Sequence, residues 1–276
     1  MEKLITVIIP TTGRLEKLKR AIESLYAQSV SDYEIIVIND GCSIEVSNYI
    51  QKQNDHRLVY LEGNYGSGAI ARNIGINSAK GGYISFLDDD DMYEPDKLDK
   101  QLQVLQKYNY DVAVCGSRTL NSNIKYLLSK DHDITKQLKE GNPYNITLMC
   151  KADILRKNLM DETLSNYQDW DLLVRLIKLN VKIHYIPEML YVIDDGDHTR
   201  ITNTVGFCND LIEDRLKALH KHKEWLGTIH FKDRCFKEEI AYIRKRKNKK
   251  SILINAVRKY GTFCLSRYVI RRVIGL

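Results

Sequence analysis

Within the first hundred residues, short apolar runs alternate with stretches of helical periodicity, and few folds accommodate that alternation. Leu4–Ile9 is an apolar run ending at Pro10 and reads as a buried strand. Leu15–Gln28 sets Leu15, Leu18, Ala21, Ile22 and Leu25 at helical spacing. Glu34–Ile38 is a second strand ending at Asn39-Asp40-Gly41, and a polar helix follows over roughly Ile44–Gln53. Arg57–Leu61 is a third strand, and Ser67–Ala79 is helical with Ile70, Ala71 and Ile74 on one side. Tyr83–Leu87, the fourth strand, runs straight into Asp88-Asp89-Asp90-Asp91. The pattern predicts an α/β fold with a parallel sheet. Ligands of such sheets bind beyond the carboxyl ends of the strands. Three of these ends carry polar groups: Thr11/Thr12, Asp40 and Asp88–Asp91.

The middle of the chain is less regular. Pro95–Gln106 reads as helix, Val112–Cys115 and Ile146–Cys150 as strands, and Arg118–Gly141 as a polar excursion. Gln168–Leu179 is a strong helix, with Leu172, Leu173, Leu176, Ile177 and Leu179 apolar. Lys182–Ile186 and Met189–Ile193 complete the strands, and beyond Thr204 the pattern is helical and increasingly basic. A body of residues 1–205 followed by an extension of residues 206–276 is expected.

A chain of 276 residues with 43% hydrophobic and 28% charged residues can bury a sizeable core, which excludes global disorder. It contains no uncharged apolar stretch long enough to span a bilayer, and its N-terminus reads as a strand rather than a signal peptide. The six cysteines are scattered and form no Cys-x-x-Cys pair, a usage that fits buried thiols in a reducing cytoplasm. Charge is distributed unevenly. Phe231–Leu276 holds 14 Lys/Arg against 3 Asp/Glu, so with a whole-chain charge of +6 the first 230 residues carry −5. A mildly acidic body with a basic tail points to an anionic partner for the tail.

Four consecutive aspartates repel one another unless positive charge sits among them. Asp88 and Asp90 project to the same side of an extended chain, so they can converge on a hard divalent cation, Mg²⁺ or Mn²⁺. The plainer reading is a solvated acidic loop that caps the helix starting near Pro95. A rival motif lies nearby. Gly66-Ser-Gly68-Ala-Ile-Ala71 matches the glycine pattern of dinucleotide folds, and Asp88 follows about 20 residues on. That pattern belongs in the first strand–helix turn, however, and here it falls in the third; it also leaves four aspartates unexplained.

Four motifs follow in order: Val7-Ile-Ile-Pro-Thr-Thr-Gly-Arg14, Val37-Ile-Asn-Asp-Gly41, Ala71-Arg-Asn-Ile-Gly75 and Gly82-Tyr-Ile-Ser-Phe-Leu-Asp-Asp-Asp-Asp91. Over roughly residues 3–200 the chain resembles an inverting family 2 glycosyltransferase of the GT-A fold, a Rossmann-like architecture for nucleotide-diphosphosugars, which implies an α/β fold with a mixed, mainly parallel sheet flanked by helices and a helical basic C-terminal extension. It is similar to bacterial enzymes that extend O-antigen or capsule repeat units on a lipid carrier. The resemblance implies roles for matched positions. Pro10, Thr11, Thr12, Arg14, Asp40, Arg72, Asp88 and Asp89 would bind the nucleotide sugar. Asp90, with Asp88 and His198, would hold the metal, Mn²⁺ or Mg²⁺, and Asp91 would cap the next loop. Thr12 and Gly13 depart from the usual Pro-Thr-Tyr-Asn-Arg, which removes an aromatic neighbour of the base.

Tyr167-Gln-Asp-Trp-Asp171 resembles the family's Glu-Asp-Trp-Asp segment, with Asp169 at the position of the general base and Gln168 in place of the Glu. Asp169 could instead be a helix N-cap, Trp170 either an acceptor-binding platform or core, and His198 a plain surface residue. Arg200 could pair with phosphate.

The tail mixes Ile252, Leu253, Ile254, Val257, Phe263, Val269 and Ile270 with Arg258, Lys259, Arg267, Arg271 and Arg272, and reads as an interfacial amphipathic segment. Nucleic-acid binding is not expected: the body is acidic and no recognisable DNA-binding motif is present. The expectation is a hexosyltransferase using a UDP-sugar, galactose or glucose, and a polyprenyl-diphosphate-linked saccharide. It would sit peripherally at the cytoplasmic face of the membrane. A non-catalytic membrane-associated relative and a dinucleotide-dependent oxidoreductase are the alternatives.

Overall fold

The computed structural model describes residues 4–129, 132–196, 209–241 and 248–273. The chain divides into two compact units. The first comprises Met1–Ile134, Asn142–Thr163 and Gln168–Gly196; the second comprises Thr135–Gly141, Leu164–Tyr167 and Asp197–Leu276. The expected boundary near residue 205 falls outside the described residues, as do His198, Arg200, Cys208 and the basic residues 244–247.

The first unit is built on one nine-stranded sheet among the described residues. Its strands are β1 (Ile5–Thr11), β2 (Tyr33–Asp40), β3 (Leu58–Gly63), β4 (Tyr83–Phe86), β5 (Met92–Tyr93), β6 (Val112–Thr119), β7 (Lys125–Tyr126), β8 (Met149–Lys151) and β9 (Ile183–Ile193). Their order is β3-β2-β1-β4-β8-β6-β9-β5, with β7 paired to β6. The half made of β3, β2, β1 and β4 is parallel, as the alternation predicts, and β8 joins it antiparallel to β4. Ile5, Val7, Ile8 and Ile9 of β1 and Ile35–Ile38 of β2 are fully buried, as in a sheet with both faces covered. Glu34 interrupts that apolar run, and its carboxylate is satisfied by the Thr6 hydroxyl and the Lys80 N–H, both at 2.6 Å.

Helices α1 (Leu15–Tyr26), α2 (Ile44–Lys52), α3 (Gly68–Ser78) and α4 (Lys97–Lys107) fill the connections. The buried stripe of α1 is Leu18, Ala21, Ile22 and Leu25, the residues its periodicity selects. Helix α3 approaches β1 through Gly75, where a Cβ would lie 2.6 Å from Ile8 Cγ2. That close approach brings Arg72, one turn earlier, to the carboxyl edge of the sheet.

The structure corrects three expectations. Lys182–Ile186 and Met189–Ile193 form one strand, β9, in which register with β6 jumps from Cys115↔Ile186 to Gly116↔Met189. Pro187 sits in the jump, where a residue without an N–H costs the ladder least. The segment Arg118–Gly141 is partly regular: it contains the end of β6, β7 and helix α5 (Ile134–Glu140). The strand expected over Ile146–Cys150 shortens to β8 at Met149–Lys151, followed by helix α6 (Ala152–Lys157). Helix α7 (Gln168–Lys178) matches its expected position.

The second unit is helical. Beyond the first unit's last strand come α8 (Asn209–Lys221), α9 (Lys223–Ile240, broken at Gly227 with φ +69°), α10 (Lys249–Tyr260) and α11 (Thr262–Val273). Arg234 on α9 donates to the carbonyls of Leu138 and Gly141, and Tyr167 donates to Glu238. No helix of the described residues is long and apolar enough to cross a membrane.

Candidate active site

Thr11, Asp40 and Asp88 lie at or just beyond the carboxyl ends of β1, β2 and β4, side by side because those strands are parallel neighbours. Around the acidic run the chain supplies its own cations. Arg14, at the entry to α1, grips both oxygens of Asp89 and donates from Nη1 to Asp90 at 2.9 Å. Thr11 Oγ1 donates to the same Asp89 at 2.6 Å. Asp89 is therefore a buried anchor whose oxygens are committed to the protein.

Asp88, Asp90 and Asp91 each turn a carboxylate oxygen toward a common point, within 4.8 Å of one another. Asp91 thus joins the cluster rather than only capping the following loop. It also accepts the N–H of Asp194 at 2.9 Å. Burial, and then the charges of Asp88 and Asp90, push its carboxyl well above the usual carboxylate range. The three form an all-oxygen donor set of the kind hard divalent cations take.

Arg72 on α3 bonds Asp88 through Nη2 and reaches Gln168 Oε1 at 3.4 Å through Nη1. Its Nε is buried without a hydrogen-bond partner among the described residues. Asp169, the next residue along α7, also lies within the field of this guanidinium. Asn142 Nδ2 donates to Asp169 Oδ2 at 2.8 Å. Burial lifts the Asp169 carboxyl above its ordinary pKa, with the Asn142 bond and Arg72 acting in the opposite direction.

The remaining expected site residues separate. Asp40 Oδ1 accepts the N–H groups of Tyr65 and Gly66 at 2.7 and 3.0 Å, so it holds the β3–α3 loop. Those two amides are therefore not offered to a pyrophosphate. Pro10 lies on β1 beyond Ile8, the last residue paired with β4, and Thr12 is exposed in the turn that follows. Trp170 has no exposed surface, which corrects its expected role as an acceptor platform: the indole is core. His198 lies outside the described residues.

Asn142, Tyr191 and Asp194 join the site without a signal in the sequence. Tyr191 accepts the Asp88 N–H and bonds the Asp91 carboxyl. Asp194 accepts from Lys17 and Arg20 of α1, and these cations, together with the Gly196 N–H, outweigh burial and bring its carboxyl down to about 2.

A mixed α/β sheet with a carboxylate cluster at its rim and a further carboxylate on a neighbouring helix fits the glycosyltransferase of the GT-A fold that the motifs resemble. The comparisons agree. The S. aureus TarS 1-349 structure in complex with UDP-GlcNAc superposes with a TM-score of 0.70 at 16% identity, over 93% of this chain and 80% of that one. The mannosyltransferase PcManGT from Pyrobaculum calidifontis, in complex with GDP-Man and Mn²⁺, gives 0.65 at 13% identity, over 99% and 81%. Glycosyl transferase family 2 matches residues 6–154, and the chain belongs to that family. An uncharacterized glycosyltransferase of Methanocaldococcus jannaschii is 30% identical over 83% of this chain and 81% of its own. The colanic acid biosynthesis glycosyl transferase WcaA of Escherichia coli, itself a putative assignment, is 29% identical over 63% and 66%. The chain spans 31% of the Rickettsia bellii relative it matches and 62% of the Rickettsia typhi one.

Proposed function

We propose that the chain is an inverting, divalent-metal-dependent hexosyltransferase. It moves galactose or glucose from a UDP-sugar to a saccharide on polyprenyl diphosphate, in O-antigen or capsule assembly at the cytoplasmic membrane face. The observation that carries this reading is the place of Arg72, bonded to Asp88 of the acidic cluster on one side and acting on Asp169 on the other. On this reading Arg72 stands between the diphosphate and the proton acceptor.

Inversion is a single displacement at the anomeric carbon, so the acceptor hydroxyl must pass its proton to a carboxylate on the face opposite the departing UDP. Asp169 serves there. Its lifted proton affinity improves it as an acceptor, and Asn142 fixes one of its oxygens. Arg72 and Arg14 are the cations available to a diphosphate, and Asp89 holds Arg14 in place.

Asp88, Asp90 and Asp91 would hold the metal, and their converging carboxylates fit Mg²⁺ or Mn²⁺. Bound there, the ion supplies positive charge against the negative charge that develops on the leaving diphosphate. The Mn²⁺ and GDP-Man of the archaeal neighbour and the UDP-GlcNAc of TarS support a nucleotide-sugar donor and a divalent cation. The E. coli relative's name supports a role in surface polysaccharide.

Membrane attachment belongs to the same reading. Helix α11 turns Phe263, Val269 and Ile270 outward, 57%, 49% and 55% exposed, within the segment that carries the surplus of cations. Apolar side chains beside cations suit an anionic leaflet.

The test is UDP or GDP release from a panel of UDP-galactose, UDP-glucose, UDP-GlcNAc and GDP-mannose, with Mn²⁺ and with EDTA, on mono- and disaccharide diphosphate-lipids. Acceptor-dependent, EDTA-sensitive release from a UDP-hexose is the expected result. Release from GDP-mannose alone would replace the donor, and activity that survives EDTA would remove the metal.

A further inference from the structure

Asn142 is the first residue of the first unit after α5, at the start of a segment with no regular structure, and no motif marks it. Its amide group has two ends with different fates. The Nδ2 end faces Asp169 Oδ2 at 2.8 Å, and an ionised carboxylate can only accept, so the NH₂ must be the end that points there. The Oδ1 end is consequently turned away from the carboxylate. It is buried and has no hydrogen-bond partner among the described residues. A buried carbonyl oxygen without a donor is costly, and in native structures such groups point to a ligand or to function. Each residue as a whole keeps part of its surface open, while Asn142 Oδ1 itself is covered.

We infer that Asn142 selects the acceptor by reading a second hydroxyl. Its Oδ1 accepts a hydrogen bond from the acceptor hydroxyl that neighbours the one losing its proton to Asp169, while its Nδ2 holds the base. One amide then couples the position of the base to the identity of the sugar, and a vicinal pair of hydroxyls is the feature recognised. The reaction's own balance is unchanged: the proton moves from the reacting hydroxyl to Asp169, and Asn142 neither gains nor loses one. The inference rests on Asp169 being the base. A site built to bond a hydroxyl rejects the analogue that lacks it far more strongly than an apolar pocket rejects a change of size.

The experiment measures transfer from the UDP-sugar to the monosaccharide diphosphate-lipid that the wild type accepts and to its monodeoxy analogues, by the wild type, Asn142→Ala and Asn142→Asp. For the wild type, removing one hydroxyl next to the site of transfer should lower kcat/KM at least tenfold. Asn142→Ala should lose a similar factor on the intact acceptor and become indifferent to that deletion. Donor KM and UDP affinity should stay within twofold. Asn142→Asp keeps an accepting oxygen but not the donor to Asp169, so it should retain the dependence on the neighbouring hydroxyl while kcat falls. Equal sensitivity to deoxygenation in the wild type and Asn142→Ala overturns the inference. Retained transfer by Asp169→Asn would remove the base reading, a separate result seen in a separate variant.

Discussion

Asp91 Oδ1 accepts the backbone N–H of Asp194 at 2.9 Å, although 103 residues separate the two. The Asp194 carboxylate in turn binds Lys17 and Arg20, so the acidic rim after β4, the end of β9 and helix α1 form one hydrogen-bonded piece.

That piece makes stability depend on acid. Asp194 ionises near 2 in the folded chain and near 3.9 when unfolded, so its contribution is complete above the unfolded value and disappears as pH falls through the folded one. Replacing Asp194 by Asn should cost about 1–2 kcal/mol at pH 7, discounted because Arg20 is partly exposed. Urea unfolding at pH 7 and pH 2 checks this. A deficit of equal size at both would show that charge is not its source.

Asp169 should separate activity from stability. Because burial raises its pKa, the folded state holds the proton more tightly than the unfolded chain, and ionisation costs stability as pH rises. Asp169→Asn should therefore melt no lower than the wild type at pH 7, while transfer falls by about 10²–10⁴-fold. A lower Tm together with lost activity would indicate a structural role instead.

Arg14 should tolerate no substitution by lysine. It reaches Asp89 through two nitrogens and Asp90 through a third, a fork that an ammonium cannot copy. Arg14→Lys should weaken UDP binding, measured by calorimetry, by roughly tenfold, a loss on the scale of a strong charge-assisted bond. Unchanged affinity would confine Arg14 to local structure.

Lys97 should cost the fold stability at neutral pH. It is fully buried, bonded to Gln101 at 2.6 Å and to Ser85 at 3.2 Å, and burial lowers its pKa to about 8. The penalty is complete below that value and fades as pH rises toward 10.5. Lys97→Met should add about 1–2 kcal/mol at pH 7, less than the desolvation it relieves because Ser85 and Gln101 lose a partner. The gain should shrink by pH 10. A gain that stays constant with pH would exclude Lys97 ionisation as its cause.

Attachment to membranes should depend on α11. Sedimentation with phosphatidylglycerol vesicles should fall at least fivefold in Phe263→Ser/Ile270→Ser and fall with added salt, while phosphatidylcholine vesicles bind little. Equal binding by wild type and variant would remove this helix from the contact.

The parallel half of the sheet was legible because apolar runs such as Ile35–Ile38 need no partner to be recognised as strands. The antiparallel half was harder. β5 is two residues long, and β6 continues through Gly116-Ser117-Arg118, whose strand character comes from pairing with β9 rather than from composition. Asp88–Asp91, Asp169 and Arg72 could be named from motifs, since each motif keeps its chemistry within a few residues. Asn142 and Asp194 could not, because only the fold brings them to Asp169 and Asp91. Trp170 could be assigned either way from sequence, and its burial decides the matter.

Gly68 is the residue that made a dinucleotide motif of this loop, yet a Cβ there would lie 2.9 Å from Arg72 Nη1. That guanidinium is tied to Asp88 and Gln168, so it cannot step aside without surrendering them. The glycine therefore keeps room for a side chain of its own helix, one turn further on. A side chain at position 68 would displace the arginine, and loss of the arginine would leave the gap open.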